Sequence, residues 1–365
     1  MKNLLDKKSR LRRHLHTPMV VTLIMLIGFG FAQGVYANEE EEVPSITITQ
    51  ENCELASSYS EGSDGLSLLV MINDQVIYEE YHNGHGADTI HRLASGTKSF
   101  WGVAAICAEE DRLLSLDELA ADTLNEWKDN PRKSTITIRH LLTFTSGLDP
   151  ATAVLRGPSQ NNKYDYVLGL EMRHDAGEGF YYGPSHLFAF GELLRRKLDA
   201  AGKEETVLAY LKRRVLDPIG LDIGLWRSDK AGNPQLPFGA FLSAREWAKY
   251  GKLILHGGSW NGKTIIPTEK LKQCFVGTEA NPIYGLNWWL IGLDDGDDPE
   301  APRIPADTVA AMGKDKQRLY IVPSLNLVVV RQGTSQAFQD ADFLNRLLFG
   351  LQTSTPRRRE RQGQQ

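Results

Sequence analysis

The stretch Ser95-Gly96-Thr97-Lys98-Ser99-Phe100-Trp101-Gly102-Val103-Ala104-Ala105-Ile106-Cys107 decides how the rest of the chain is read. From Phe100 onward it is almost wholly apolar, and a helix that is apolar all round is a buried one. Ser95 then stands at the start of that helix, where the dipole and unpaired backbone N–H groups favour negative charge. Lys98, three residues on, shares its face. A serine hydroxyl is a weak nucleophile and needs a base beside it. A lysine can be that base if burial or a neighbouring cation lowers its pKa. Taken as four letters, Ser-x-x-Lys is equally an ordinary capping serine followed by a surface lysine. The position before a buried helix and after an early hairpin gives it weight.

Working outward, Leu66, Leu68 and Val70 precede Asn73-Asp74, and Val76, Ile77 and Tyr78 follow. Asn and Asp favour the turn, so residues 65–81 read as a hairpin. A second hairpin pairs Arg318–Val322 with Asn326–Arg331 across Pro323-Ser324, with the β-branched run Val328-Val329-Val330 in one arm. Leu344, Leu347, Leu348 and Leu351 mark a closing helix at i, i+3, i+4 and i+7. Between them lie helix candidates at 117–127, 185–198, 204–215, 243–255 and 267–274. Strands at both ends and helices between predict an α+β fold: one antiparallel sheet built from both termini, flanked by helices, with a mostly helical inserted region.

Two more segments carry distinctive residues. Ile136 and Ile138 lead into Arg139-His140-Leu141-Leu142-Thr143-Phe144-Thr145-Ser146-Gly147-Leu148, a short helix closed by Gly147. Further on comes Gly179-Phe180-Tyr181-Tyr182-Gly183-Pro184-Ser185, then a helix containing Gly191.

Together these segments resemble the serine β-lactamase and penicillin-binding superfamily, in its class C-like branch of β-lactamases, D-Ala-D-Ala carboxypeptidases, esterases and nylon-oligomer hydrolases. The resemblance runs from about Gly65 to Arg331. The segment Arg139–Leu148 carries most of it, with Phe144 where many relatives have His. The interval from Tyr182 to Gly191 matches the family spacing, so Tyr182 takes the place of the family tyrosine, with Tyr181 as its competitor. In the third motif, Lys314 takes the Lys/His position, Asp315 the Thr position and Lys316 the Gly position. Gln317 then supplies the backbone N–H that, with that of Ser95, forms an oxyanion hole.

The resemblance implies an acyl-enzyme hydrolase acting on an ester or amide: Ser95 attacks, Lys98 and Tyr182 handle its proton, and Lys314 helps hold that network and any substrate anion. The partner expected is a small-molecule or peptide substrate, with no metal and no organic cofactor. Lys316 in the Gly position and Pro184, which replaces the Asn of the family's Y-x-N and has no amide to offer, count against β-lactams. β-Lactamase or D-Ala-D-Ala carboxypeptidase activity on the same residues is the nearest rival. A non-catalytic binder or sensor of peptidoglycan fragments is the rival of another class. An α/β-hydrolase is disfavoured, because no G-x-S-x-G elbow follows a strand.

The bulk numbers agree with a globular domain: 365 residues, 41% hydrophobic and 24% charged, with net charge −5. An acidic chain repels nucleic acid. Basic residues to Arg13, the apolar run Met19–Ala32 and Val35-Tyr36-Ala37 read as a signal peptide over 1–37. That predicts export to the periplasm or beyond, without stable membrane insertion once the signal is cut. The run is about 14 residues against the roughly 20 of a bilayer span, and an uncleaved anchor is the alternative. Residues 38–64 then form a leader or linker, 65–351 the hydrolase domain and 352–365 a disordered basic tail. Of the three cysteines, Cys107 reads as a buried thiol, and Cys53 and Cys274 are the pair an oxidising compartment could join.

Overall fold

The computed structural model describes residues 46–293 and 304–351. The signal peptide read over 1–37 and the tail over 352–365 lie outside the described residues. A five-stranded antiparallel sheet is formed by β1 (Gly65–Ile72), β2 (Gln75–Tyr81), β3 (Val309–Gly313), β4 (Gln317–Val322) and β5 (Leu327–Gly333). The spatial order is β2-β1-β5-β4-β3, so the N-terminal hairpin joins the C-terminal strands through β1 and β5. Asn73 and Asp74, both left-handed, make the first tight turn.

β1 and β5 are buried on both faces, which explains their unbroken apolar runs. Leu68, Val70, Leu327 and Val329 face one way, against helices α1 (Gln50–Glu61) and α5 (Asp340–Phe349). Leu69, Met71, Val328 and Val330 face the other way, toward the larger core that includes α2 (Ser99–Glu110), α3 (Ser185–Ala200) and α4 (Ala244–Leu255). This is the α+β arrangement expected.

Three expectations need correction. Residues 50–61, inside the stretch read as linker, form α1: Thr49 caps it by accepting from the Asn52 N–H, and Cys53 and Ala56 enter the core. Residues 117–127 are not a helix but two single turns, Ala120–Asp122 and Asn125–Trp127. Asp122, Thr123 and Asn125 are weak helix formers, and the Ala120 N–H is drawn to the Ile136 carbonyl instead. Cys53 and Cys274 do not pair: Cys53 packs under α5, Cys274 lies in the other core, and all three cysteines are buried free thiols.

Candidate active site

Ser95 lies in a tight turn, Ala94–Lys98, that runs directly into α2. The turn is pinned. The Leu93 N–H donates to the Ala240 carbonyl at 2.9 Å, and Thr97 Oγ1 donates to Ala94 O at 2.7 Å while accepting from the Ala240 N–H. Gly96 is required by contact, since a Cβ there would lie 2.8 Å from the Trp247 ring. Ala94, immediately before Ser95, is held at φ 47, a left-handed conformation costing an alanine about 1–2 kcal/mol. Such strain survives where surrounding contacts over-determine it, and it clusters at functional sites.

Lys98 is buried, and its Nζ has two polar neighbours, Ser95 Oγ and the Pro237 carbonyl, each at 2.9 Å. Burial, followed by the Arg156 guanidinium, pushes its pKa well below the usual 10.5. No carboxylate forms an ion pair with it among the described residues. The Tyr182 ring centroid is 5.0 Å from Lys98 Nζ. Burial raises the Tyr182 phenol, and hydrogen bonding to Ser95 and the charges of Arg156 and Arg318 only partly offset it. Ser95, Lys98 and Tyr182, 87 residues apart at the extremes by numbering, are thus brought together. Tyr181 points elsewhere: its ring stacks on His174 at 4.1 Å.

Tyr182 is set by its neighbours. The Tyr181 N–H donates to Phe144 O, and its carbonyl accepts from His186 Nε2 at 2.8 Å. That fixes the proton on Nε2, so Nδ1 accepts from Ser146 Oγ at 2.8 Å. His186 is fully buried, and burial lowers its pKa to about 4. Phe144 stacks on His186 at 4.9 Å and meets the edge of Tyr182 at 5.3 Å. Gly191 lets α3 approach Tyr164, whose ring would lie 2.5 Å from an added Cβ.

The Lys314–Lys316 segment is the turn between β3 and β4, with Asp315 and Lys316 both left-handed. Lys314 is exposed and lines the same cleft as Ser95. Asp315 is tied to Arg92 and to Gln336 Nε2. Lys316 departs from expectation: its Nζ reaches Asp340 at 3.2 Å, within a network including Arg318 and Tyr320, and it does not line the cleft. Its charged end is held by Asp340 rather than free in the cleft.

Gln317 also departs from its expected role. Ala310 exchanges both backbone hydrogen bonds with Trp289, so alternate residues Ala311 and Gly313 direct theirs toward β4. Gly313 faces Gln317, and the Gln317 N–H is directed at the Gly313 carbonyl rather than at a substrate. Its side chain is equally occupied, donating to Gly333 O at 2.6 Å and accepting from the Gly333 N–H. Because the Gly313 carbonyl points inward across a planar trans peptide, the Lys314 N–H points outward from the strand edge.

The cleft above Ser95 has a volume of about 550 Å³ and is walled by residues drawn from 92–95, 156–163 and 227–235, with Phe238, Phe241 and Lys314. That is the size range of a small-molecule site. Pro237, Arg156 and His186 were not legible as site residues in the sequence, since each reaches the site through a long-range contact without a local motif. Among the described residues no cluster of His, Cys, Asp or Glu is arranged to hold a metal.

The Beta-lactamase family profile matches residues 52–350, and the chain belongs to that family of serine hydrolases. An uncharacterized protein from Alkalihalophilus pseudofirmus is 26% identical over 289 residues, covering 73% of this chain and 83% of that relative. Lovastatin esterase from Penicillium rubens is 30% identical over 160 residues, covering 37% of this chain and 39% of the esterase. The solved structure of EstCE1, a hydrolase with promiscuous acyltransferase activity, superposes with TM-score 0.63 at 16% identity, covering 82% of this chain and 97% of EstCE1.

Proposed function

We propose that the protein hydrolyses an ester or amide through an acyl-enzyme on Ser95. The observation that carries this reading is Lys98: a buried amine without a carboxylate partner among the described residues, 2.9 Å from Ser95 Oγ, with its pKa driven down. A carbonyl can only accept, so Pro237 O takes one N–H of the amine. The lone pair of neutral Lys98 is then free for the Ser95 proton as Oγ attacks. Tyr182, protonated because burial raises its pKa, carries a proton onward to the leaving group. The N–H groups of Ser95 and Lys314 stabilise the oxyanion, in place of Gln317. Water, activated by the same lysine–tyrosine pair, releases the acyl group.

Simple esters are favoured over β-lactams. Pro184 caps α3 without a side-chain donor, and a missing partner for a buried polar group costs about 1–3 kcal/mol, roughly tenfold or more in kcat/KM. The test compares kcat/KM for p-nitrophenyl acetate and butyrate, a D-Ala-D-Ala peptide and nitrocefin. The esters should lead; nitrocefin turnover well above both would make the protein a β-lactamase.

A further inference from the structure

The cleft is cationic although the chain is acidic. Six of its lining residues are basic: Arg92, Arg156, Lys163, Arg227, Lys230 and Lys314; one, Asp229, is acidic. Two of the six are committed elsewhere. Arg92 is paired with Asp315, and Lys163 Nζ is buried against the Leu155 carbonyl. Asp229 is committed too: its carboxylate accepts from the backbone N–H groups of Lys163, Ala231 and Asn233 and from Asn233 Nδ2. It closes its own loop and neutralises little of the cleft. Arg156, Arg227, Lys230 and Lys314 have no carboxylate partner among the described residues, and all four are exposed at its wall. Arg227 is also oriented, its guanidinium lying over the Phe241 ring at 4.6 Å.

Like charges gathered in one concave, apolar-backed site repel one another and focus a positive field, which an anionic ligand relieves. Tyr182, which serves the leaving group in the reading above, is not among the cleft's lining residues. Ser95 itself lines the cleft, so a substrate whose carbonyl sits on Ser95 can extend its acyl portion among these cations. We propose that the physiological acyl donor carries a carboxylate several bonds from its scissile carbonyl, held by Arg156 and Arg227 with Lys230 and Lys314 at the rim. This rests on the hydrolase reading and specifies its substrate class. The anchor lies on the 156–163 and 227–235 walls of the cleft.

The test pairs two esters that differ only in charge: mono-p-nitrophenyl adipate and its methyl ester, both read by nitrophenol release. Exposed ion pairs are each worth a few-fold, so two or three together predict a kcat/KM preference of roughly tenfold for the free acid. The preference should shrink in about 1 M salt, where screening sets in beyond roughly 3 Å. It should fall toward unity in Arg156→Met/Arg227→Met; taking the ratio within each variant cancels any general loss of activity. A ratio of one or less in the wild type, or one unchanged in the double variant, overturns the proposal. A parallel arm needs no catalysis: calorimetric binding of adipamate and of its methyl ester to Ser95→Ala. Tighter binding of adipamate with both esters inert would keep the anion site and remove the hydrolase reading. Ester turnover with equal binding of both amides would do the reverse.

Discussion

Replacing Lys98 with Met separates a catalytic lysine from a structural one. The side chain is buried, so methionine fills nearly the same volume without an amine. Two hydrogen-bond partners change: Ser95 Oγ loses its base, and the Pro237 carbonyl loses a donor. Leaving that carbonyl unpaired costs about 1–3 kcal/mol. Against this, the variant no longer buries an amine, whose removal from water is itself unfavourable. The two terms oppose, so net stability should move by only about 1–2 kcal/mol. The kinetic effect is larger. A positioned proton-transfer group contributes ~10²–10⁴-fold, or about 3–5 kcal/mol of barrier. The assay is the second-order rate of Ser95 acylation by a fluorophosphonate, beside the urea unfolding midpoint of each protein. The wild-type rate should also rise with pH through an apparent pKa well below 10.5, because only unprotonated Lys98 is a base. An acylation rate within about threefold of wild type, joined to a clear fall in the unfolding midpoint, would make Lys98 structural and refute the reasoning.

The pair of tyrosines gives a second test. Tyr182→Phe should cut kcat by ~10²-fold or more, whereas Tyr181→Phe, at a ring stacked on His174, should leave kcat nearly unchanged; steady-state kinetics that reverse the order would shift the register through Gly183. Stability should depend on pH through His186. Its folded pKa is about 4 against an unfolded 6.5, so the unfolded chain binds more protons across that window. Stability is therefore full above 6.5 and falls as pH drops toward 4, by on the order of 3 kcal/mol for this group. His91, lowered by burial to about 4, adds in the same direction. Urea midpoints measured across that range should flatten in His186→Gln, and an unchanged slope would contradict the assignment.

What could be read from sequence followed local chemistry. Asn73-Asp74 announced a hairpin turn, the β-branched run announced a strand, and the apolar stretch after Lys98 announced a buried helix. The helix 50–61 was hidden because its buried face is made of Cys53, Ala56, Ser57 and Ser60, small side chains that give no apolar stripe. The third motif failed for a different reason. Which amide of Lys314–Gln317 faces outward is decided by strand parity, and parity is fixed by the Ala310–Trp289 pairing, contributed by a distant segment. The fate of Lys316 likewise depends on Asp340, a residue that the folded sheet brings close. The cationic cleft is assembled from four separated stretches, none unusually basic by itself.

The central claim is that Ser95 is the nucleophile. Treating the native protein with a fluorophosphonate, then measuring intact mass and mapping the modified peptide, tests it most directly. One adduct per chain is expected, on Ser95 within the peptide that contains Lys98, and it should be absent from Ser95→Ala. An adduct on Ser146, whose Oγ is hydrogen-bonded to His186, or on Ser185, whose buried hydroxyl has no partner among the described residues, would contradict the account.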